Sequence, residues 1–301
     1  MDGAEHPRFG GLITAMVTPF DEKGALDLDG AATVARWLAD HGTQGLVVSG
    51  TTGEGPVLSD DEKRALWRCV KESVTIPVVA GAGTNDTAHS IEMVKAAGEA
   101  GVDGVLVVTP YYNRPPQEGI RRHMQAVAAA TPLPMMVYDI PVRTGRKIAT
   151  DTMAWLAHNV ANIVAVKDAA GDLAGLARLV ATTPSSFEVY TGEDEIALGA
   201  LALGAVGVVS VAAHWAGREM AQMLAAHAKG DVAGARDTNA RLLESFEFEA
   251  TETFPNPMPA KAACRVLGLP AGQCRDPLGP SPVELEETAR RVLEGLGTTV
   301  G

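Results

Sequence analysis

The sequence predicts an α/β fold: a (β/α)8 TIM barrel followed by a C-terminal helical appendage. Three observations carry that reading. Eight short runs rich in Val, Ile, Leu and Gly recur between residues 12 and 211, separated by segments of helical period. The runs are apolar throughout rather than alternating, as strands buried on both faces must be. No G-x-G-x-x-G follows the first run, where LITAMVTPF stands instead, so an open doubly wound sheet holding a dinucleotide loses its main support.

The predicted strands are LITAMV (12–17), GLVVS (45–49), PVVA (77–80), GVLVV (104–108), PMMVY (134–138), IVAVK (163–167), FEVYT (187–191) and GVVSV (207–211). The helix over 59–72 opens on Ser59 and Glu62, a capping box, and places Leu66, Cys69 and Val70 on one face. The helix over 86–100 repeats the pattern with Ile91, Val94 and Ala97. Strands separated by helices imply right-handed crossovers and a parallel sheet. A chain of 301 residues accommodates a barrel of the usual ~250. Beyond Gly230 the strand signals stop. Residues 231–301 read as helices broken by FPNPMP (254–259) and DPLGPSP (276–282), so the expected division is a barrel in 1–230 and a helical region in 231–301.

Composition narrows the function. The net charge of −12 and the lack of any basic-aromatic patch argue against a nucleic-acid partner. The start, MDGAEHPRFGG, lacks the charged and apolar regions of a secretion signal, and no apolar run approaches the ~20 residues a membrane helix needs. Three cysteines (Cys69, Cys264 and Cys274) form no CxxC pair, which suits a reduced, cytoplasmic protein without a cysteine zinc site. His41, His89, His123 and His214 are scattered, with no metal-ligand spacing.

In such a barrel the chemistry sits at the C-terminal ends of the strands. There stand SGTTGEG (49–55), TPYYNRPP (109–116), YDIPVRTG (138–145), KDAAGD (167–172) and TGEDE (191–195). Lys167 ends an apolar run, where an ammonium loses hydration; a neutral amine in that place attacks a carbonyl and forms a Schiff base. Tyr138 ends the neighbouring strand and can shuttle protons to it. Three of the four tyrosines, Tyr111, Tyr112 and Tyr138, fall in these rim segments. Gly50-Thr51-Thr52-Gly53 forms an anion cradle of backbone N–H groups and two hydroxyls, and Arg143 offers a bidentate grip on a second carboxylate. The acidic run 192–195 reads as the N-terminus of the next helix.

These residues, with AMVTPF, SGTTGE, GAGTNDTAHSI, TPYYNRPPQEG, YDIPVRTG, VKDAAGD and NPMPAKAAC in order along nearly the whole chain, resemble the dihydrodipicolinate synthase family, in the N-acetylneuraminate lyase superfamily of class I aldolases. The resemblance implies condensation of pyruvate with aspartate semialdehyde in diaminopimelate and lysine biosynthesis. No cofactor is involved beyond a covalent Schiff base of Lys167 with pyruvate. It implies Tyr138 as central acid/base, Thr51 and Tyr112 completing a proton relay, Thr51 and Thr52 on the pyruvate carboxylate, Arg143 on the aldehyde's carboxylate, and backbone carbonyls of Gly192 and Val209 lining the pocket. In the family the tyrosine matching Tyr112 reaches into a neighbouring subunit, which implies a homotetramer, a dimer of dimers.

Arg143 and the YYN tripeptide favour the short charged aldehyde, since sialic-acid lyases resemble the chain at the threonines and the lysine but lack the arginine. Another pyruvate-dependent aldolase or dehydratase, and an oxo-acid-binding scaffold barrel without activity, stay open. Asp139 stands where many relatives carry Asn, and Asp168 where many carry Glu. Lysine-inhibited members hold the end product with an imidazole and a carboxylate; Lys63 and His89 stand at those positions, while Asn85 and Tyr111 match. A cation facing the bound ammonium implies weak or absent inhibition by lysine.

Overall fold

Eight parallel strands close on themselves in chain order in the computed structural model, which describes residues 7–298 apart from 250 and 252. The reading of the extreme N-terminus as lacking a secretion signal falls largely on residues 1–6, outside those described. The strands are β1 (Leu12–Ala15), β2 (Gly45–Val48), β3 (Val78–Gly81), β4 (Gly104–Val108), β5 (Met135–Asp139), β6 (Ile163–Asp168), β7 (Glu188–Thr191) and β8 (Gly207–Ser210). β1 pairs with both β2 and β8, which removes every free edge. The expected barrel is therefore the observed one: β1, β2, β7 and β8 are one or two residues shorter than the apolar runs, β3 and β5 are shifted by one, β4 coincides and β6 runs one residue further.

Around the strands lie α1 (Leu28–Asp40), α2 (Asp60–Ser73), α3 (Thr87–Glu99), α4 (Gln117–Ala128), the single turn α5 (Pro141–Thr144), α6 (Thr150–Asn159), α7 (Leu173–Thr182), α8 (Ala197–Ala202) and α9 (Ala213–Ala228). Three more follow: α10 (Val232–Phe248), α11 (Met258–Val266) and α12 (Val283–Gly295). The helix starts are chemically marked. Asp27, Asp86, Asp172 and Asp231 each accept a backbone N–H from the first turn of the helix they precede. The capping box before α2 is formed in full, with Ser59 Oγ accepting from Glu62 N at 3.3 Å and Glu62 Oε2 from Ser59 N at 2.8 Å. The core face of α2 differs from expectation by one position: Lys63, Leu66, Trp67 and Val70 are buried, while Cys69 stands at the margin and donates to Leu28 O. Among the described residues no helix is long and apolar enough to cross a membrane.

The period of two along each strand sorts side chains into two cores. Ile13, Val47, Val79, Leu106, Met136, Tyr138, Ala165, Tyr190 and Val209 fill the barrel interior with Phe9, while the alternate residues pack against the helices. Phe9 plugs the end of the barrel where the strands begin: a Cβ on Gly104 would stand 2.7 Å from its ring. Burying that ring stabilises by about 1.5–3 kcal/mol. The opposite end, at the strand C-termini, stays open and carries the polar residues.

Candidate active site

The register between β5 and β6 builds the centre of the site. It shifts once, between Met135 and Met136, after which Tyr138 pairs with Lys167 and Asp139 with Asp168. Alternation then points Tyr138 and Lys167 into the barrel, and Asp139 and Asp168 outward beneath the helices. Lys167 is 5% exposed, and its Nζ lies 4.4 Å from the centroid of the Tyr138 ring. Among the described residues it makes no ion pair. The backbone of Gly192 lies against its stem, because a Cβ there would stand 2.7 Å from Lys167 Cε. Val209, fully buried on β8, closes the far wall of the interior.

A cavity of about 280 Å³ opens beside Tyr138, with Thr51, Arg143, Tyr111 and Lys63 also on its walls, while Lys167, Thr52, Gly192 and Val209 do not line it. Thr51 and Thr52 belong to a loop that folds tightly after β2. Ser49 and Glu54 take left-handed backbone angles (φ 57° and 53°), and Thr18 Oγ1 donates to Gly53 O at 2.6 Å. Arg143 projects from α5, and Lys63 is almost buried in the first turns of α2. Tyr112 stands apart from the rest. It is 89% exposed with φ 70°, and its ring does not face the cavity of its own chain.

The run 192–195 is corrected by the structure. It does not cap α8, whose N-cap is Ile196. Asp194 turns instead toward the end of β8, where its Oδ2 accepts from Ser210 Oγ (3.0 Å), Val211 N (2.8 Å) and Ala212 N (2.9 Å). These three donors outcompete a helix end because Asp194 is fully enclosed. Glu193 is within electrostatic reach of Lys167 and Arg143. Burial pushes its carboxyl up to about 7, with Lys167 and Arg143 pulling the other way.

Two residues of the C-terminal region enter the site, and neither was picked from the sequence. Asn256 Nδ2 donates to Thr52 Oγ1 at 3.0 Å, and its carbonyl accepts from Arg143 Nη2 at 3.4 Å. It thus joins the threonine loop to the arginine. Lys261, with no solvent exposure, places Nζ 2.6 Å from Glu54 Oε1 and 2.9 Å from Gln273 O. Arg275 N donates to Glu54 Oε2 at 2.9 Å, and both cations flank the ring of Phe20, at 4.2 and 4.1 Å. The signal was present in TTGE and in NPMPAK, but each motif alone gives no hint that they meet.

The comparisons with known proteins give the family and the fold. The family model described as "Dihydrodipicolinate synthetase family" matches residues 8–296. The chain belongs to that family. The 4-hydroxy-tetrahydrodipicolinate synthase of Moorella thermoacetica is 48% identical over 290 residues, covering 95% of this chain and 98% of that protein. A crystal structure from Cyanidioschyzon merolae with lysine bound superposes with a TM-score of 0.94 at 41% identity, covering 98% of this chain and all of that one. A monomeric family variant gives a TM-score of 0.93 at 36% identity, covering 97% and 98%.

Proposed function

We propose that this chain condenses pyruvate with L-aspartate 4-semialdehyde to 4-hydroxy-tetrahydrodipicolinate, in diaminopimelate and lysine biosynthesis. The observation that carries the reading is the buried, unpaired Lys167 amine against the Tyr138 ring at the open end of the barrel. The relatives named for this activity support it over nearly their whole length.

Lys167 attacks C2 of pyruvate; the carbonyl oxygen leaves as water and an iminium forms. The iminium withdraws electrons from C3, which loses a proton and becomes the enamine carbon that attacks the aldehyde. Tyr138 exchanges these protons, relayed through Thr51 and Tyr112, a positioned acid/base being worth ~10²–10⁴ in rate. Thr51 and Thr52 hold the pyruvate carboxylate, Arg143 holds that of the aldehyde, and carbonyls of Gly192 and Val209 line the pocket. No metal or organic cofactor takes part in this scheme. Tyr112 serves a neighbouring subunit, which its exposure on its own chain supports, and the active assembly is a dimer of dimers. The protein works in the cytoplasm. Residues 1–230 form the barrel and 231–301 a helical region that lends Asn256 and Lys261 to the site.

Borohydride reduction with pyruvate, followed by peptide mass analysis, tests the reading. A reduced pyruvyl adduct on Lys167 is expected, together with consumption of aspartate semialdehyde in preference to sugar-derived aldehydes. An unmodified Lys167 refutes it.

A further inference from the structure

Behind the reacting pair lies a charged cluster that the mechanism above does not use. Asp139 and Asp168 follow Tyr138 and Lys167 directly in β5 and β6 and are register partners. Both are nearly buried, at 2% and 6% exposure. Lys147, on the loop before α6, reaches them both, with Nζ 3.0 Å from Asp139 Oδ2 and 3.7 Å from Asp168 Oδ1. Asp139 also accepts the backbone N–H of Ile148, and Asp168 that of Ala170. Asp172, the N-cap of α7, is the third acid facing the cluster. Burial pushes the Asp139 and Asp168 carboxyls up, while the Lys147 ammonium pulls them down.

We propose that Lys147 is a positioning residue: by bridging Asp139 and Asp168 it fixes the ends of β5 and β6 against each other, and so holds Tyr138 and Lys167 in reacting register. The inference rests on the function proposed above. Two buried carboxylates on adjacent strands repel, and removing their shared cation leaves the repulsion at the one place where strand separation sets the distance between amine and phenol. No other cation bridges the pair among the described residues. An amide at position 139 would restore the link differently, by donating its N–H to the Asp168 carboxylate.

The test compares wild type, Lys147→Met, Lys147→Arg, Asp139→Asn and the double variant Lys147→Met/Asp139→Asn. The readouts are kcat, pyruvate KM, the pH dependence of borohydride trapping on Lys167, and thermal melting. Lys147→Met is expected to lose at least tenfold in kcat at pH 8 with pyruvate KM changed less than threefold, and to trap pyruvate over a narrower pH range. Lys147→Arg is expected to keep most of the activity, and the double variant to return to within threefold of Asp139→Asn. A smaller loss in Lys147→Met, or a double variant more than threefold below Asp139→Asn, overturns the proposal. Should Lys147→Met not fold, the comparison of the double variant with Asp139→Asn decides on the same threshold. Failure of the wild type to trap pyruvate refutes the proposed function instead, so the two failures are told apart.

Discussion

Replacing Lys261 by methionine removes one ammonium from a place where no water can substitute for it. Glu54 keeps the Arg275 N–H and the Cys274 thiol but no ammonium within ion-pair reach among the described residues, while its side chain remains 2% exposed. Leaving one member of a buried pair uncompensated costs about 3–5 kcal/mol. Methionine fills most of the stem volume, so the cavity contribution is small, and the charge dominates. In a chain of 301 residues that loss lowers the melting temperature by roughly 5–8 °C. Glu54 also ends the loop that carries Thr51 and Thr52, so pyruvate KM should rise severalfold at temperatures well below melting. Melting by circular dichroism and steady-state kinetics on the same preparation check both parts. Glu54→Gln/Lys261→Met, which removes both charges, should recover at least half of the lost stability. A melting temperature within 2 °C of wild type, or a double variant worse than Lys261→Met, would refute the reasoning.

Arg143→Ala should lose condensation by two orders of magnitude or more while still forming the pyruvate adduct on Lys167; unchanged turnover would remove the arginine from aldehyde binding. Glu193→Gln should flatten the pH dependence of stability. The Glu193 carboxyl is raised from 4.5 to about 7, so the fold holds a proton that the unfolded chain releases. That contribution is complete below pH 4.5 and is lost as pH rises through 7, worth about 1–2 kcal/mol once partial exposure is allowed for. Denaturant unfolding of both proteins at pH 5 and pH 8 checks this, and parallel curves contradict it. Free lysine at 1–10 mM should leave the initial rate within about a tenth of its value, because the Lys63 ammonium faces the cavity with no ion-pair partner among the described residues and repels a second cation. Strong inhibition in that range would contradict it.

The barrel was legible because both of its signals are local. A strand buried on two faces reads as a continuous apolar run, and a capped helix announces its first turn, as Ser59 and Glu62 do. Lys167 and Tyr138 were legible for a related reason: each ends a core strand, and the barrel brings adjacent strand ends together whatever the intervening sequence. The place of Asp194 is not legible because its donors stand at the end of β8, 16 residues away, and no local pattern links them to it. Asn256 and Lys261 escaped because their partners, Thr52 and Glu54, lie more than 200 residues upstream, and nothing in a Pro-rich turn says which loop it will touch. Tyr112 shows the same gap from the other direction. Its φ of 70° and exposed ring place it outside the cavity of its own chain, where no local sequence signal says what it meets.

The arrangement also keeps most acids of this acidic chain away from the Lys167 amine. The carboxylates nearest to Lys167 in sequence are turned away from it by strand alternation, and Lys147 neutralises them on the outer face. Asp194 is spent on three donors at the end of β8, and Glu193, pushed up to about 7 by burial, carries less than a full negative charge near neutrality. What faces the amine on the inner side is an aromatic ring and the bare backbone of Gly192. Of the acids near Lys167, the fold thus places Asp194 beside its own donors and Asp139 and Asp168 on the opposite face of the barrel wall.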